Sequence, residues 1–232
     1  MSGAPFTVLV VCTGNVNRSA LGAVLLDTWS GWYLQPAAVG AVRVTSAGLR
    51  APVGSSMGSR ARRIAEALGA DGSRHRAAQI TEDAIRTADL VLVSSALQRE
   101  TVLGLVPAAL HSTFTIREAG RIAEHLPELN APSSAEEMRD RVTTLAQNRS
   151  VGAASSGDDD IVDPQGRDDD AYRLMARQEV PSLAQVAGLL FGMPAAEISA
   201  YRAAVETAAF RLDDEPVPSD GDVDRPRGRR QA

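Results

Sequence analysis

The sequence predicts an α/β protein of three layers, α/β/α, around a central four-stranded parallel sheet. Short apolar runs rich in β-branched residues recur at Phe6–Val11, Val42–Ser46, Leu90–Ser94 and Thr113–Ile116. Stretches of helical spacing lie between and after them, from Ser19 to about Trp32, from Ser55 to Leu68 and from Asp168 to Leu190. Shorter helices are expected to begin near Thr81, Ala96 and Glu118. Strands that alternate with helices pair in parallel and are covered on both faces. The ligand of such a sheet binds beyond the carboxyl ends of its strands.

Cys12 stands at such an end. The first strand runs straight into Cys12-Thr13-Gly14-Asn15-Val16-Asn17-Arg18-Ser19, and Cys12 is the only cysteine of the 232 residues. Free thiols titrate near pH ~8.5, and the thiolate is the nucleophile. A helix N-terminus and a guanidinium beside a thiol both favour the anion. The backbone N–H groups of Thr13, Gly14, Asn15, Val16 and Asn17 are expected to turn inward as a nest for phosphate, and the helix from Ser19 adds free donors. Gly14 tolerates positive φ, and Asn15 tolerates it better than most residues do. Arg18 offers a planar fork for two phosphate oxygens at once. A small core residue at a strand end is the plain alternative for Cys12. That alternative does not account for the Gly-Asn-x-x-Arg-Ser that follows.

Farther along, Trp29 and Trp32 read as packing residues of the first long helix. Residues 127–157 read as an insertion. It holds a helix at Ser134–Gln147, with Ser134 and Glu137 spaced as a capping box, and ends in a flexible Ser150–Gly157. It lies just before Asp163, so a lid or partner site is open to it, and a mobile, neutral insertion is the simpler expectation. Ala195–Leu212 reads as an added helix with Ile198, Tyr201, Val205 and Ala208 along one face. After Asp213 the composition turns to Pro, Asp, Gly and Arg, which predicts a disordered tail over 213–232. Residues 5–212 are thus expected to form one domain.

Four stretches carry a family resemblance: Cys12–Ser19; Val44-Thr45-Ser46-Ala47-Gly48; His75-Arg76-Ala77-Ala78-Gln79-Ile80-Thr81 followed by Asp89-Leu90-Val91-Leu92-Val93; and Asp160-Ile161-Val162-Asp163-Pro164. In this order they resemble the low-molecular-weight protein tyrosine phosphatase family. The resemblance implies that Cys12 takes the phosphoryl group and that Arg18 binds it. It implies that Asp163 protonates the leaving oxygen and then activates water, and that Ser19 donates to the thiolate. Asn15, Ser46 and His75 would hold the loop in shape. The chemistry of the residues agrees. A covalent route splits one hard displacement into two easier ones. Phosphoryl transfer needs positioning and charge stabilisation above all, and arginine with backbone donors supplies that without a metal. No cofactor is implied, and the scattered His75, His111 and His125 do not spell a metal site. Six other carboxylates, Asp158–Asp160 and Asp168–Asp170, lie near Asp163. Asp163 is preferred because the proline after it restricts its backbone.

The chain also departs from the family's pattern. Asn17 stands before the arginine, where a second cysteine is usual, and Ala20 replaces a proline after Arg-Ser. Aromatic residues that commonly line the rim are absent: Leu49-Arg50-Ala51-Pro52 follows Ser-Ala-Gly, Gln165 follows Asp-Pro, and Ser94-Ser95 replace an acid after the third strand. Aromatic walls hold a phenyl ring by stacking, so the preference for tyrosine is an open question at this stage.

The net charge of −5 argues against a general nucleic-acid binder, and no apolar run is long enough to span a membrane. The start Met1-Ser2-Gly3-Ala4-Pro5 lacks a basic segment, so no secretion signal is expected. A lone cysteine fits a reducing, cytoplasmic location. The expected partner is a phosphotyrosine-containing protein or another small phosphomonoester, and the oligomeric state is not legible. Two other functions stay open. One is an arsenate reductase that hands its adduct to a low-molecular-weight thiol. The other is a non-catalytic homologue that only holds phosphate. Oxidised Cys12 has no thiol partner within the chain. Peroxide should therefore inactivate the protein without an internal disulfide, as read by intact mass, and a disulfide-linked dimer as the main product would contradict this.

Overall fold

Every residue of β1 (Phe6–Cys12) except Thr7 is buried, so the strand reads as one apolar run rather than an alternation. The computed structural model describes residues 4–150, 159–207 and 212. After β1 come α1 (Arg18–Tyr33), α2 (Pro36–Val39), β2 (Val42–Gly48), α3 (Ser59–Ala67), α4 (Glu82–Arg86), β3 (Leu90–Val93) and α5 (Ala96–Leu105). A 3-10 turn at Pro107–His111 leads to β4 (Thr113–Thr115), α6 (Ile116–Glu124), α7 (Ala135–Gln147), α8 (Asp169–Phe191) and α9 (Ala195–Thr207).

The four strands form one parallel sheet in the order β2-β1-β3-β4. Alternate β1 residues serve two cores. Phe6, Val8 and Val10 pack with α1, α3, α6, α7, α8 and α9, whereas Leu9 and Val11 pack with α4, α5 and the 3-10 turn. The expected three layers are therefore present. The chain leaves β1 toward β2 on one side and returns to β3 on the other, so the sheet switches direction at β1. Cys12 ends that strand, at the crevice where α/β sheets bind ligands.

Element ends follow local chemistry. Thr115 closes β4 and caps α6 in a full capping box with Glu118. Asp168 caps α8 by accepting from Ala171 N at 3.1 Å. The helix expected from Ser55 begins only at Ser59. The Gly58 amide donates to Val16 O at 2.8 Å, and Ala77 N donates to Ser55 O at 2.8 Å, so this stretch is spent on supporting its neighbours. The box expected at Ser134 is half made. Ser134 Oγ accepts from Glu137 N at 3.2 Å, but the Glu137 carboxylate turns to Ser133 and Arg141.

The insertion helix also corrects the expectation of a mobile segment. Met138, Val142 and Leu145 of α7 join the main core, and the buried Arg141 donates to Leu189 O at 2.8 Å and Asn130 O at 2.9 Å. Trp29 is a packing residue as expected, with its ring centroid 4.7 Å from that of Tyr201 on α9. The expected flexible run 151–157, the Ala208 position and the tail from Asp213 lie outside the described residues.

One buried group was not anticipated. Glu179 of α8 is fully buried, and among the described residues neither carboxylate oxygen has a hydrogen-bond partner. It faces α1, where a methyl group on Gly22 would lie 3.0 Å from its Oε1. Burial pushes its carboxyl well above the usual glutamate range, and the Arg18 charge offsets this in part. The folded protein therefore keeps a proton that the unfolded chain releases above about pH 4.3, the usual glutamate value. The stability this proton contributes is complete below that pH and is lost as pH rises toward the folded-state value. Wild type should lose more urea stability between pH 5 and pH 8 than Glu179→Gln does, and parallel profiles for the two proteins would refute the assignment.

Candidate active site

The end of β1 delivers Cys12 into a loop that α1 closes. Asn15 is fully buried and takes a left-handed backbone at φ 53°. Its backbone amide donates to Cys12 Sγ at 3.2 Å. Its side-chain Nδ2 donates to Ser19 Oγ at 2.9 Å, and its Oδ1 accepts from Ala78 N at 2.8 Å. The carbonyl of Asn15 lies 2.8 Å from His75 Nε2. Ser19 Oγ lies 3.0 Å from Cys12 Sγ. The sulfur is thus met by one backbone amide and one hydroxyl at the start of a helix, where N–H groups are free of helical partners.

Two loop expectations change. Gly14 keeps an ordinary backbone, and the left-handed turn falls on Asn15 alone within the loop. Ser46 pairs in register with Val10, two residues short of the Cys12–Gly48 level, and among the described residues its hydroxyl makes no hydrogen bond to the loop. The support from β2 comes instead from Gly48, where a Cβ would lie 2.8 Å from Thr13 O and 3.0 Å from Asn15 N. Only glycine lets the loop cross there. The amides of Leu49 and Arg50 continue the contact, donating to Cys12 O and Thr13 O. Gln98 holds the far side, where its Nε2 donates to Thr13 Oγ1 at 3.2 Å and its Oε1 accepts from Ser94 N at 2.9 Å.

Arg18 opens α1 and is 5% exposed. Its two terminal nitrogens point at the segment before α8: one donates to Ile161 O at 3.1 Å, the other pairs with Asp163 Oδ2 at 2.6 Å. The Asp163 side chain is half exposed. This segment is fixed to the sheet, since Ile161 N donates to Ser94 O at 2.8 Å beyond the end of β3 and Val162 N donates to Gln178 Oε1 at 2.8 Å. The rival carboxylates are engaged elsewhere. Asp159 pairs with Arg121, Asp160 accepts from Ala96 N, Asp168 caps α8, Asp169 pairs with Arg60, and Asp170 pairs with Arg173. Asp158 lies outside the described residues.

The sequence reasoning missed Gln98, Gly48 and Glu179. It also treated Asn17 and Gln165 as separate features, although Asn17 Nδ2 donates to Gln165 Oε1 at 2.8 Å. The cleft above the loop is walled by Leu49, Leu97, Leu174, Asp160 and Gln178, and none of its described lining residues is aromatic. Among the described residues, no group of three or more His, Cys, Asp or Glu side chains is placed to hold a metal ion, and no helix is long and apolar enough to cross a membrane.

Residues 7–118 match the family model described as low molecular weight phosphotyrosine protein phosphatase. A probable low molecular weight protein-tyrosine-phosphatase, EpsP, of Ralstonia nicotianae is 34% identical over 112 residues, 48% of this chain and 71% of that protein. A protein-arginine-phosphatase of Geobacillus stearothermophilus is 30% identical over 114 residues, 49% of this chain and 71% of that protein. The fold is shared with the YwlE arginine phosphatase structure from Geobacillus stearothermophilus (TM-score 0.55, 24% identity, covering 79% of this chain and 91% of that one). It is shared equally with the Vibrio vulnificus Wzb structure in complex with benzylphosphonate (TM-score 0.54, 20% identity, 79% of this chain and 98% of that one). The matched sequence includes Cys12, Arg18, Ser19 and His75 and ends before Asp163, whose place rests on the contacts described above. The chain belongs to the low molecular weight phosphotyrosine protein phosphatase family.

Proposed function

We propose that the protein hydrolyses phosphotyrosine in proteins through a phosphocysteine intermediate, with Cys12, Arg18 and Asp163 as its catalytic residues. The observation that carries this reading is the convergence of three groups at the end of β1. Cys12 Sγ meets the Asn15 amide and the Ser19 hydroxyl, and Arg18 brings Asp163 to the same place at 2.6 Å.

The loop amides from Thr13 to Asn17 and the Arg18 fork take the phosphoryl oxygens. Phosphate and Asp163 compete for that fork, so substrate replaces the Arg18–Asp163 ion pair and leaves the carboxyl beside the leaving oxygen. Cys12 sulfur attacks phosphorus, the phosphorus–oxygen bond opposite it breaks, and the departing oxygen takes the Asp163 proton. Water then attacks the phosphocysteine, its proton goes to Asp163, and Cys12 leaves as a thiolate that accepts from Ser19. His75 and Asn15 keep the loop amides aimed inward, and no metal or cofactor enters.

Residues 5–212 act as one phosphatase domain in this reading, with 127–157 an insertion. A nucleophilic thiol without a partner suits a reducing, cytoplasmic setting. The arsenate-reductase reading is not favoured, since the relatives matched over this region are named as phosphatases. The protein-arginine-phosphatase relative and the cleft without described aromatic walls favour phosphoarginine as a second substrate class.

Steady-state hydrolysis of phenyl phosphate tests the assignment. Cys12→Ser should abolish turnover. Asp163→Asn should slow it by about a hundredfold or more, the range of a lost general acid. An Asp163 variant as active as wild type would move the acid elsewhere. Parallel assays on phosphotyrosine and phosphoarginine peptides, and of arsenate reduction with a low-molecular-weight thiol, separate the substrate classes.

A further inference from the structure

Two departures from the family's pattern touch each other. Asn17 occupies the position before the loop arginine where the family usually has a second cysteine. Gln165 occupies the position after Asp-Pro where an aromatic is common. In the folded protein Asn17 Nδ2 donates to Gln165 Oε1 at 2.8 Å across 148 residues of sequence. Gln165 also reaches the catalytic carboxylate, since its backbone amide donates to Asp163 Oδ1 at 3.2 Å. The other oxygen of Asp163 pairs with Arg18 at 2.6 Å, and Arg18 directly follows Asn17 in the chain. The contacts close a ring: Asn17, Gln165, Asp163, Arg18 and back to Asn17.

The Asn17 end of this ring is rigid. Asn17 is 4% exposed, and its carbonyl accepts from Leu21 N at 2.8 Å in the first turn of α1. Its carboxamide fits because residue 58 is glycine, whose missing Cβ would lie 2.4 Å from Asn17 Oδ1. The Gln165 end is exposed and has no other side-chain anchor among the described hydrogen bonds. A buried, preset amide thus holds an exposed side chain two residues beyond the catalytic acid. A cysteine at 17 has no carboxamide to donate, and an aromatic ring at 165 has no oxygen on a flexible arm to receive one.

We propose that Asn17 and Gln165 form a positioning pair that aims Asp163 at the leaving oxygen, standing in for an aromatic rim. The inference rests on the phosphatase reading above and deepens it. The two side chains touch neither the sulfur nor the phosphoryl group, whereas the Asn17 backbone amide belongs to the phosphate loop, so Gln165 is the member whose effect runs through Asp163 alone. An acid matters most when the leaving group is poor, because a good one departs without full protonation. The constant kcat/KM reports the steps up to phosphoryl transfer. In contrast, kcat includes hydrolysis of the phosphocysteine, in which the original leaving group is no longer present.

The test is a double-mutant cycle of Asn17→Ala, Gln165→Ala and the double variant, each assayed on phenyl phosphate and 4-nitrophenyl phosphate. Each single variant should lose about threefold to tenfold in kcat/KM on phenyl phosphate, the scale of one hydrogen bond. On 4-nitrophenyl phosphate the loss in Gln165→Ala should be less than about twofold. The double variant should match the singles instead of multiplying them, and inhibition of Gln165→Ala by inorganic phosphate should stay within about twofold of wild type. Gln165→Ala alters an exposed side chain and keeps the test sound even if Asn17→Ala misfolds. Multiplied losses in the double variant, or an unchanged ester ratio in Gln165→Ala, would overturn the pair. Wild-type protein inactive on both esters would instead overturn the phosphatase reading itself.

Discussion

Asn15 carries four hydrogen-bonding contacts at once: its amide to the Cys12 sulfur, its carbonyl to His75, and its carboxamide to Ser19 and Ala78. A left-handed backbone costs a non-glycine residue about 1 kcal/mol or more, and a buried carboxamide is costly wherever one of its atoms goes unbonded. These bonds offset both penalties. They also bend the chain so that the Asn15 amide turns back to the Cys12 sulfur. Without the bend the same residues form an extended connection, the sulfur loses its donors, and Arg18 opens α1 with nothing to clasp. The rest of the site is arranged around this turn: Gly48 clears the backbone on one side, and Gln98 braces Thr13 on the other.

The sheet explains why the turn sits where it does. β1 is covered on both faces, so its direction is set by two separate cores rather than by the loop it feeds. The switch in strand order opens a crevice at its carboxyl end. Asp163 enters that crevice from 145 residues farther along the chain. Its segment behaves as a short extension of β3, bonded to Ser94 O and steadied by Gln178 of α8. The proposed nucleophile and the proposed acid therefore belong to different elements anchored to adjacent strands. Their spacing is held by the sheet and by the ring of contacts through Asn17 and Gln165.

Behind the site, α8 brings a buried carboxyl, without a hydrogen-bond partner among the described residues, toward Arg18. A charged guanidinium in a low-dielectric setting interacts strongly with any nearby acid. Glu179 is fully buried and Asp163 is half exposed, and the Arg18 charge acts on the first while its fork pairs with the second. The added elements sit away from this line. α7 packs through Met138, Val142 and Leu145, and α9 docks Tyr201 on Trp29, so both enlarge the main core.

By itself the sequence determined the layer order, the four strands, the long helices and the place of Cys12–Ser19 at the end of the first strand. Each of these rests on information local in the chain: apolar periodicity, capping residues, and an arginine at fixed distance from a cysteine. It singled out Asp163 from the proline beside it, a local restriction too. It misplaced the start of α3, expected Ser46 to brace the loop, and read the α7 segment as mobile. Each of those depended on partners far away: Val16 O for Gly58, Thr13 and Asn15 packed on Gly48 rather than on Ser46, and Leu189 O for Arg141. Only the tertiary structure decided that Asn17 and Gln165 meet, that Gln98 reaches Thr13, and that Glu179 is buried behind Arg18. Residues 148 positions apart carry no mutual signal in a single chain, and their bond exists only once the sheet has brought both segments to one crevice.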